Sequence, residues 1–313
     1  MMDTNADLGK INNGGTKKFE LINSQGSRGY GQIDRAAVFG AGVMGQGISQ
    51  VLSSNGIVVL LFDLDPQHVE KGIAMLDKSM DHEIALWSLT SSEKRSILAR
   101  IEKGGSYDDL QKCQVVIESI TEDLSAKQNL FKELDMYAPK ETVFITTTSS
   151  LNVSEIATAT HREDRVIGVH FIIPVPRVPL VEIVRGKKTS DDTFAFAKTL
   201  VGILNKTPIE VSENPGLIAT RLIIPVLNEA MQIYMNGIAS VEDIDKAMQL
   251  GYGMPMGPLE LADHIGLDEV LTCTKILYKL LNDPKYLPCT LLQKMVQDGQ
   301  LGVKTGKGFY TYN

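Results

Sequence analysis

Gly40-Ala41-Gly42-Val43-Met44-Gly45 lies between two segments of different periodicity, and that placement decides how the whole chain is read. Before it, Ala36-Ala37-Val38-Phe39 is a short unbroken apolar run, the pattern of a strand buried on both faces. Behind it, Gln46 to Leu52 carries apolar residues at helical spacing. A second apolar run, Ile57 to Phe62, ends in Asp63, about twenty residues beyond the glycines. Strand, glycine turn, helix, strand and terminal acid form the dinucleotide-binding fingerprint. In that pattern Gly40 permits the tight turn, Gly42 lets a pyrophosphate approach, and Gly45 lets helix and strand pack closely. Val43 and Met44 open the helix, whose unpaired N–H groups would face the phosphates. The alternative is a glycine turn without a ligand, and Asp63 discriminates between the two. A carboxylate there accepts hydrogen bonds from ribose hydroxyls and repels a 2′-phosphate, and Leu64 offers no positive charge, so NAD is expected over NADP. Asp65-Pro66 then reads as the cap and first residue of the next helix.

Bulk properties narrow the class. The chain has 313 residues, enough for two domains, with 43% hydrophobic and 22% charged residues. A net charge of −7 without a Lys/Arg cluster argues against nucleic acid as a partner, and no apolar run is long enough to span a bilayer. Cys113, Cys273 and Cys289 lie far apart with no metal-ligand spacing, so reduced thiols in a cytoplasmic protein and no metal are expected. Residues 1–32 are polar and glycine-rich, with neither a secretory nor a transit pattern. They read as an extension, ordered only if Phe19-Glu20-Leu21-Ile22 docks.

From Asp63 to about Arg100 the pattern is helical, with Ser91-Ser92-Glu93 as a cap inside it. Strands are expected at 114–118, 143–147, 165–171, 180–184 and 208–211, with helices at 126–134, 154–159 and 193–204 between them. This alternation predicts an α/β, Rossmann-like, doubly wound and mainly parallel sheet over 33–214. Texture changes at Pro215. Residues 215–313 read as a smaller all-α unit with helices at 218–236, 241–250, 259–278 and 290–298, closed by a strand-like 308–312.

Two residues stand out chemically. His170 ends an apolar strand, at the sheet edge where open α/β folds place their sites. Glu182 lies inside the apolar Leu180-Val181-Glu182-Ile183-Val184, where a buried carboxylate needs a partner. A return through Pro174-Val175-Pro176-Arg177-Val178-Pro179 brings Glu182 beside His170, either as an imidazole oriented for base catalysis or as a satisfied core pair. Ser149 and Ser150 follow another strand at the same edge, where a hydroxyl donates to a substrate oxygen or caps a turn. Glu122 and Lys127 either reach a cofactor or substrate or form a solvated helical charge pair.

These motifs resemble the short-chain L-3-hydroxyacyl-CoA dehydrogenases, which include bacterial 3-hydroxybutyryl-CoA dehydrogenases. The glycine turn, Thr148-Ser149-Ser150-Leu151, Gly168-Val169-His170-Phe171 with Pro174-Val175-Pro176, and Leu180-Val181-Glu182 carry the likeness in the first part. In the second, Pro215-Gly216, 239–245, 255–261 and Lys304 to Tyr310 carry it. The resemblance implies oxidation of a 3-hydroxyacyl thioester, with His170 as base, Glu182 as its orienting partner and Ser149 on the substrate's 3-oxygen. It implies that Asp63, Glu122, Lys127 and Lys304 contact NAD. It further implies a homodimer through the helical part, with acyl-CoA, or an acyl group on a carrier protein, in the cleft.

The departures fall at the substrate end. Thr147, Ile173 and Thr220 stand where the family usually has Asn, and the proline-rich stretch around Arg177 and Pro179 replaces its usual Met-Lys pair. Ile173 has no polar side-chain atom, and the Thr220 hydroxyl cannot reproduce the two-sided pattern of an amide. An altered acyl substrate or another hydroxy acid is one consequence. A catalytically weak homologue that binds NAD and acyl-CoA is the competing one.

Overall fold

The computed structural model describes residues 33–86 and 88–312, so the expected extension at 1–32 lies outside the described residues. Eight strands make one sheet: β1 (Arg35–Phe39), β2 (Val58–Phe62), β3 (Ile101–Lys103), β4 (Val115–Glu118), β5 (Val143–Thr146), β6 (Val166–Phe171), β7 (Leu180–Arg185) and β8 (Thr207–Ser212). Their order is β3-β2-β1-β4-β5-β6-β7-β8. Every neighbouring pair is parallel except β6 and β7. The order reverses between β1 and β4, which opens the crevice where ligands of such sheets sit. The glycine turn follows β1 at this point, with Gly40 N–H donating to Phe62 O at 2.8 Å and Ser119 N–H to Phe39 O at 2.7 Å.

The helices flanking this sheet are α1 (Val43–Ser54), α2 (Pro66–Ala85), α3 (Ser91–Leu98), α4 (Leu124–Tyr137), α5 (Val153–Ala157) and α6 (Asp191–Ile203). As expected, α2 opens with Asp65 accepting from Gln67 N–H and Pro66 in the first position. The next cap lies one residue before the expected stretch. Thr90 and Glu93 form a capping box, satisfying two terminal donors reciprocally. Strand β3 is an addition to the expected pattern. It pairs with β2 because that strand would otherwise be an open edge, yet it buries only Ile101, too little periodicity to be seen.

The helical part comprises α7 (Ala219–Met235), α8 (Val241–Tyr252), α9 (Pro258–Ile265), α10 (Leu267–Leu281) and α11 (Thr290–Gln297), around a core that includes Leu227, Met231, Leu259, Leu271, Leu277 and Leu292. The helix expected over 259–278 is two helices. Gly266, at φ 101°, takes the chain out of helical space between them. The strand-like 308–312 is not a strand, because a carboxylate takes its backbone donors. Asp263 accepts from Phe309 N–H at 3.0 Å, Tyr310 N–H at 2.9 Å and the Tyr312 hydroxyl at 3.0 Å. Pro225 sits inside α7, and the Tyr286 hydroxyl donates to the carbonyl of Arg221, four residues earlier, at 3.5 Å.

Candidate active site

The antiparallel return from β6 to β7 sets His170 directly opposite Glu182, so their side chains lie on one face of the sheet. His170 Nδ1–H donates to Glu182 Oε2 at 2.6 Å. The other oxygen, Oε1, accepts from Ile218 N–H at 2.9 Å and Ala219 N–H at 3.0 Å, at the start of α7. Both side chains are buried, Glu182 completely. Burial pushes the Glu182 carboxyl up, but the His170 bond and charge and the two backbone donors outweigh it and hold the group below its ordinary value. A carboxylate on Nδ1 fixes the proton there and leaves Nε2 as an acceptor, the arrangement a general base needs.

The connecting loop 172–179 is itself held. Lys206 is buried, and its ammonium donates to Val175 O and Val178 O, each at 2.6 Å. Burial lowers its pKa.

Ser149 follows β5, the parallel neighbour of β6, so both residues stand at the same sheet edge. Glu122 organises its turn. Oε1 of Glu122 accepts from Ser149 N–H at 3.2 Å, Ser150 N–H at 3.1 Å, the Ser150 hydroxyl at 2.7 Å and the Thr148 hydroxyl. The Ser149 carbonyl accepts from Gly216 N–H at 2.9 Å, and its hydroxyl lies against the Cys273 thiol of α10. The segment 216–219 therefore touches both Ser149 and Glu182. Thr220 follows it, half-buried, and neither its hydroxyl nor that of Thr147 has a hydrogen-bond partner among the described residues.

The residues expected at the cofactor are placed differently from one another. Asp63 Oδ2 accepts from Ala41 N–H at 2.8 Å and Oδ1 from Leu64 N–H at 2.8 Å, tying the end of β2 to the glycine turn. Lys304 pairs with Asp268 at the start of α10. Lys127 is 1% exposed and closed in by three acceptors: Glu118 Oε1 at 2.5 Å, Glu122 Oε2 at 3.3 Å and Ile120 O at 3.4 Å. Glu118 was not singled out in the sequence, although its signal was there. It is a carboxylate ending the apolar run Val115-Val116-Ile117, with a lysine nine residues on, and the argument made for Glu182 applies to it equally.

The glycine turn fits a dinucleotide. A Cβ on Gly45 would lie 1.7 Å from Gly40 O, and one on Gly40 would lie 2.2 Å from Ser119 O. These two glycines are required by the protein's own packing. Gly42 is different: a Cβ there meets nothing within 4 Å, so its bareness leaves a cradle open in front of the α1 N-terminus. Beside it an open pocket of about 340 Å³ is lined by Phe62, Asp63, Leu64, Pro66, Val69 and Tyr107, with Gly104, Gly105 and Ser106 after β3 as one wall.

Comparison with known proteins agrees with this layout. Residues 35–214 match the model of the 3-hydroxyacyl-CoA dehydrogenase NAD binding domain, and residues 216–312 match that of the C-terminal domain. The chain belongs to the 3-hydroxyacyl-CoA dehydrogenase family. Its cofactor is NAD. The 3-hydroxybutyryl-CoA dehydrogenase of Clostridioides difficile is 43% identical over 89% of this chain and 99% of its own length. The probable 3-hydroxybutyryl-CoA dehydrogenase of Bacillus subtilis is 41% identical over 90% and 98%. The crystal structure of (S)-3-hydroxybutyryl-CoA dehydrogenase from Ralstonia eutropha is similar with a TM-score of 0.77 at 42% identity, covering 90% of this chain and 100% of that one.

Proposed function

We propose that this chain oxidises a short-chain 3-hydroxyacyl-CoA, such as 3-hydroxybutyryl-CoA, to the 3-oxoacyl-CoA, with His170 as general base and Glu182 as its orienting partner. The observation that carries this reading is the buried His170–Glu182 pair, its carboxylate anchored on two backbone donors and its imidazole Nε2 left to accept a proton. Bound NAD supplies the hydride acceptor for C3. His170 takes the hydroxyl proton at Nε2, and the resulting imidazolium is stabilised by Glu182. Ser149 donates to the 3-oxygen, and Thr220, half-buried and with its hydroxyl free of partners among the described residues, is the second hydroxyl offered to the substrate. Gly40 to Gly45 hold the pyrophosphate, while Asp63 and the adjoining pocket take the adenosine.

The relatives' activity on CoA thioesters supports CoA over a carrier protein as the thioester's handle, and Lys71 and Lys78 are candidate contacts for its phosphates. Both are exposed, seven residues apart on α2, and without an ion-pair partner among the described residues, whereas Lys94 and Lys103 bind the acids of that helix. Exposed Leu222, Ile238, Leu250 and Tyr252 on the helical part support a homodimer through that domain. No described helix is long and apolar enough to cross a membrane, and the three cysteines are free and buried, which supports a cytoplasmic location.

The test is NADH formation with 3-hydroxy acids of increasing chain length, each as the CoA and the carrier-protein thioester. Turnover of the short CoA thioesters is expected. NAD binding by calorimetry with no turnover of any hydroxyacyl thioester would replace the enzyme by a catalytically silent binding homologue.

A further inference from the structure

The loop that joins His170 to Glu182 is poor in hydrogen-bond donors. Pro174, Pro176 and Pro179 have no N–H, and the N–H groups of Arg177 and Val178 both turn back to Pro174 O, each at 3.0 Å. A carbonyl of this loop that is taken out of water therefore needs a donor from elsewhere in the chain. One dipeptide supplies three of them. Lys206 Nζ donates to Val175 O and Val178 O, each at 2.6 Å, and Thr207 N–H donates to Pro179 O at 2.6 Å. Lys206 is buried although no carboxylate pairs with it among the described residues, and burial alone lowers its pKa. An unpaired ammonium is costly to bury, so what this side chain contributes is its donors. A neutral amine keeps two N–H groups, so both carbonyls are held in either protonation state.

The same segment reaches the helix behind the glycine turn. Asn205 Nδ2–H donates to Asn55 Oδ1 at 2.8 Å, at the C-terminal end of α1. In the second turn of α1, Gly47 lies bare under the loop: a Cβ there would stand 2.9 Å from Val175 Cβ and 3.7 Å from Pro176 Cδ. Val175 is thus pressed on α1 from one side and tied to Lys206 on the other. Helix α1 presents the pyrophosphate cradle, and His170 lies two residues before the loop. We propose that Lys206 is a positioning residue for hydride transfer: by clamping the proline loop against α1, it fixes the base relative to the cofactor that α1 holds. This rests on the reading of His170 as the base.

The test compares Lys206→Met, which keeps an apolar stem and removes the donors, with Gly47→Ala, whose methyl pushes Val175 off α1 and leaves Lys206 untouched. Thr142→Val is the control, because it removes a buried hydrogen bond, to Cys113 O at 3.0 Å, at the opposite edge of the sheet. His170→Ala gives the loss when the base is absent. For each, NADH formation is followed in a single turnover at saturating NAD and 3-hydroxybutyryl-CoA, NAD affinity by calorimetry, and folding by a thermal melt. A base displaced by about 1 Å slows the chemistry about 10- to 100-fold, and this loss is expected for Lys206→Met and for Gly47→Ala, with NAD Kd changed by less than about threefold. Their combination is expected to cost less than the product of the single losses, because both act on one contact. Thr142→Val is expected to melt lower and react at the parent's rate.

If Lys206→Met also melts lower and reacts at the parent's rate, its role is structural and the proposal falls. A loss in Lys206→Met with none in Gly47→Ala overturns it as well, since the clamp then does not act through α1. So does an NAD Kd about tenfold weaker with the rate intact, which places the effect on cofactor binding alone. Should Lys206→Met not fold, Gly47→Ala decides by the same two readings. If His170→Ala reacts at the parent's rate, the reading of His170 fails and takes the proposal with it. A loss in His170→Ala with none in the other two leaves that reading standing and refutes this one.

Discussion

Glu182→Gln separates an oriented base from a core pair. The carboxylate accepts three hydrogen bonds, from His170 Nδ1–H at 2.6 Å, Ile218 N–H at 2.9 Å and Ala219 N–H at 3.0 Å. Glutamine is isosteric, and its carbonyl oxygen can keep the two backbone bonds. Its NH₂ group must then face His170. A donor there forces Nδ1 to become the acceptor, which moves the ring proton to Nε2 and occupies the lone pair that takes the substrate proton. A wrong tautomer of this kind costs about 10³- to 10⁴-fold in turnover, or about 4 to 5.5 kcal/mol of barrier. Folding loses less, about 1.5 to 3 kcal/mol for one hydrogen bond to a charged group. Stopped-flow NADH formation at saturating substrate, with calorimetric NAD binding and a thermal melt on the same sample, gives all three quantities. Turnover within about tenfold of the parent would refute the tautomer argument and leave His170 and Glu182 as a packing pair.

Three further outcomes follow from the geometry. Gly42→Ala should keep stability within about 0.5 kcal/mol, since the new methyl meets nothing in the protein, yet weaken NAD severalfold by filling the cradle, whereas Gly45→Ala should unfold the turn; melting curves and NAD titrations decide this. Asp135 carries a pH signature. Burial raises its carboxyl, but hydrogen bonds from His161 and Arg162 hold it below the ordinary value, so its stabilisation is complete above about pH 4 and fades as pH falls through the depressed folded pKa. Asp135→Asn should therefore destabilise at neutral pH and converge with the parent in acid, as read by denaturant melts across pH; a constant difference would contradict the sign. Leu250→Glu with Tyr252→Glu should convert the proposed homodimer to monomer in sedimentation without loss of cooperative melting, because both side chains are exposed on the single chain; a parent that sediments as a monomer would refute the proposed dimer.

How much of this was legible in the chain depends on distance along it. The glycine turn and Asp63 are legible because the features that make them a site lie within one strand–turn–helix–strand unit. His170 and Glu182 meet as expected because a short proline loop allows only an antiparallel return, and register does the rest. The Gly266 break is invisible in the periodicity, since the apolar spacing of α9 continues into α10 and only the positive φ separates them. Strand β3 is hidden for a related reason: an edge strand with one buried residue leaves almost no pattern.

By itself, then, the sequence determined the α/β class, the NAD fingerprint and the candidate base with its carboxylate, all of which follow from local periodicity and from the need of a buried charge for a partner. Only the tertiary structure decided which partners the remaining charges take. Lys127 could read from the sequence as a cofactor contact or as half of a solvated helical charge pair; β4, the loop after it and the start of α4 bury its ammonium beside Glu118, Glu122 and the Ile120 carbonyl, which excludes the solvated pair. The physical reason is that a charge's role is set by what surrounds it in three dimensions. A lysine's four-carbon stem reaches several positions, and sequence spacing does not choose among them.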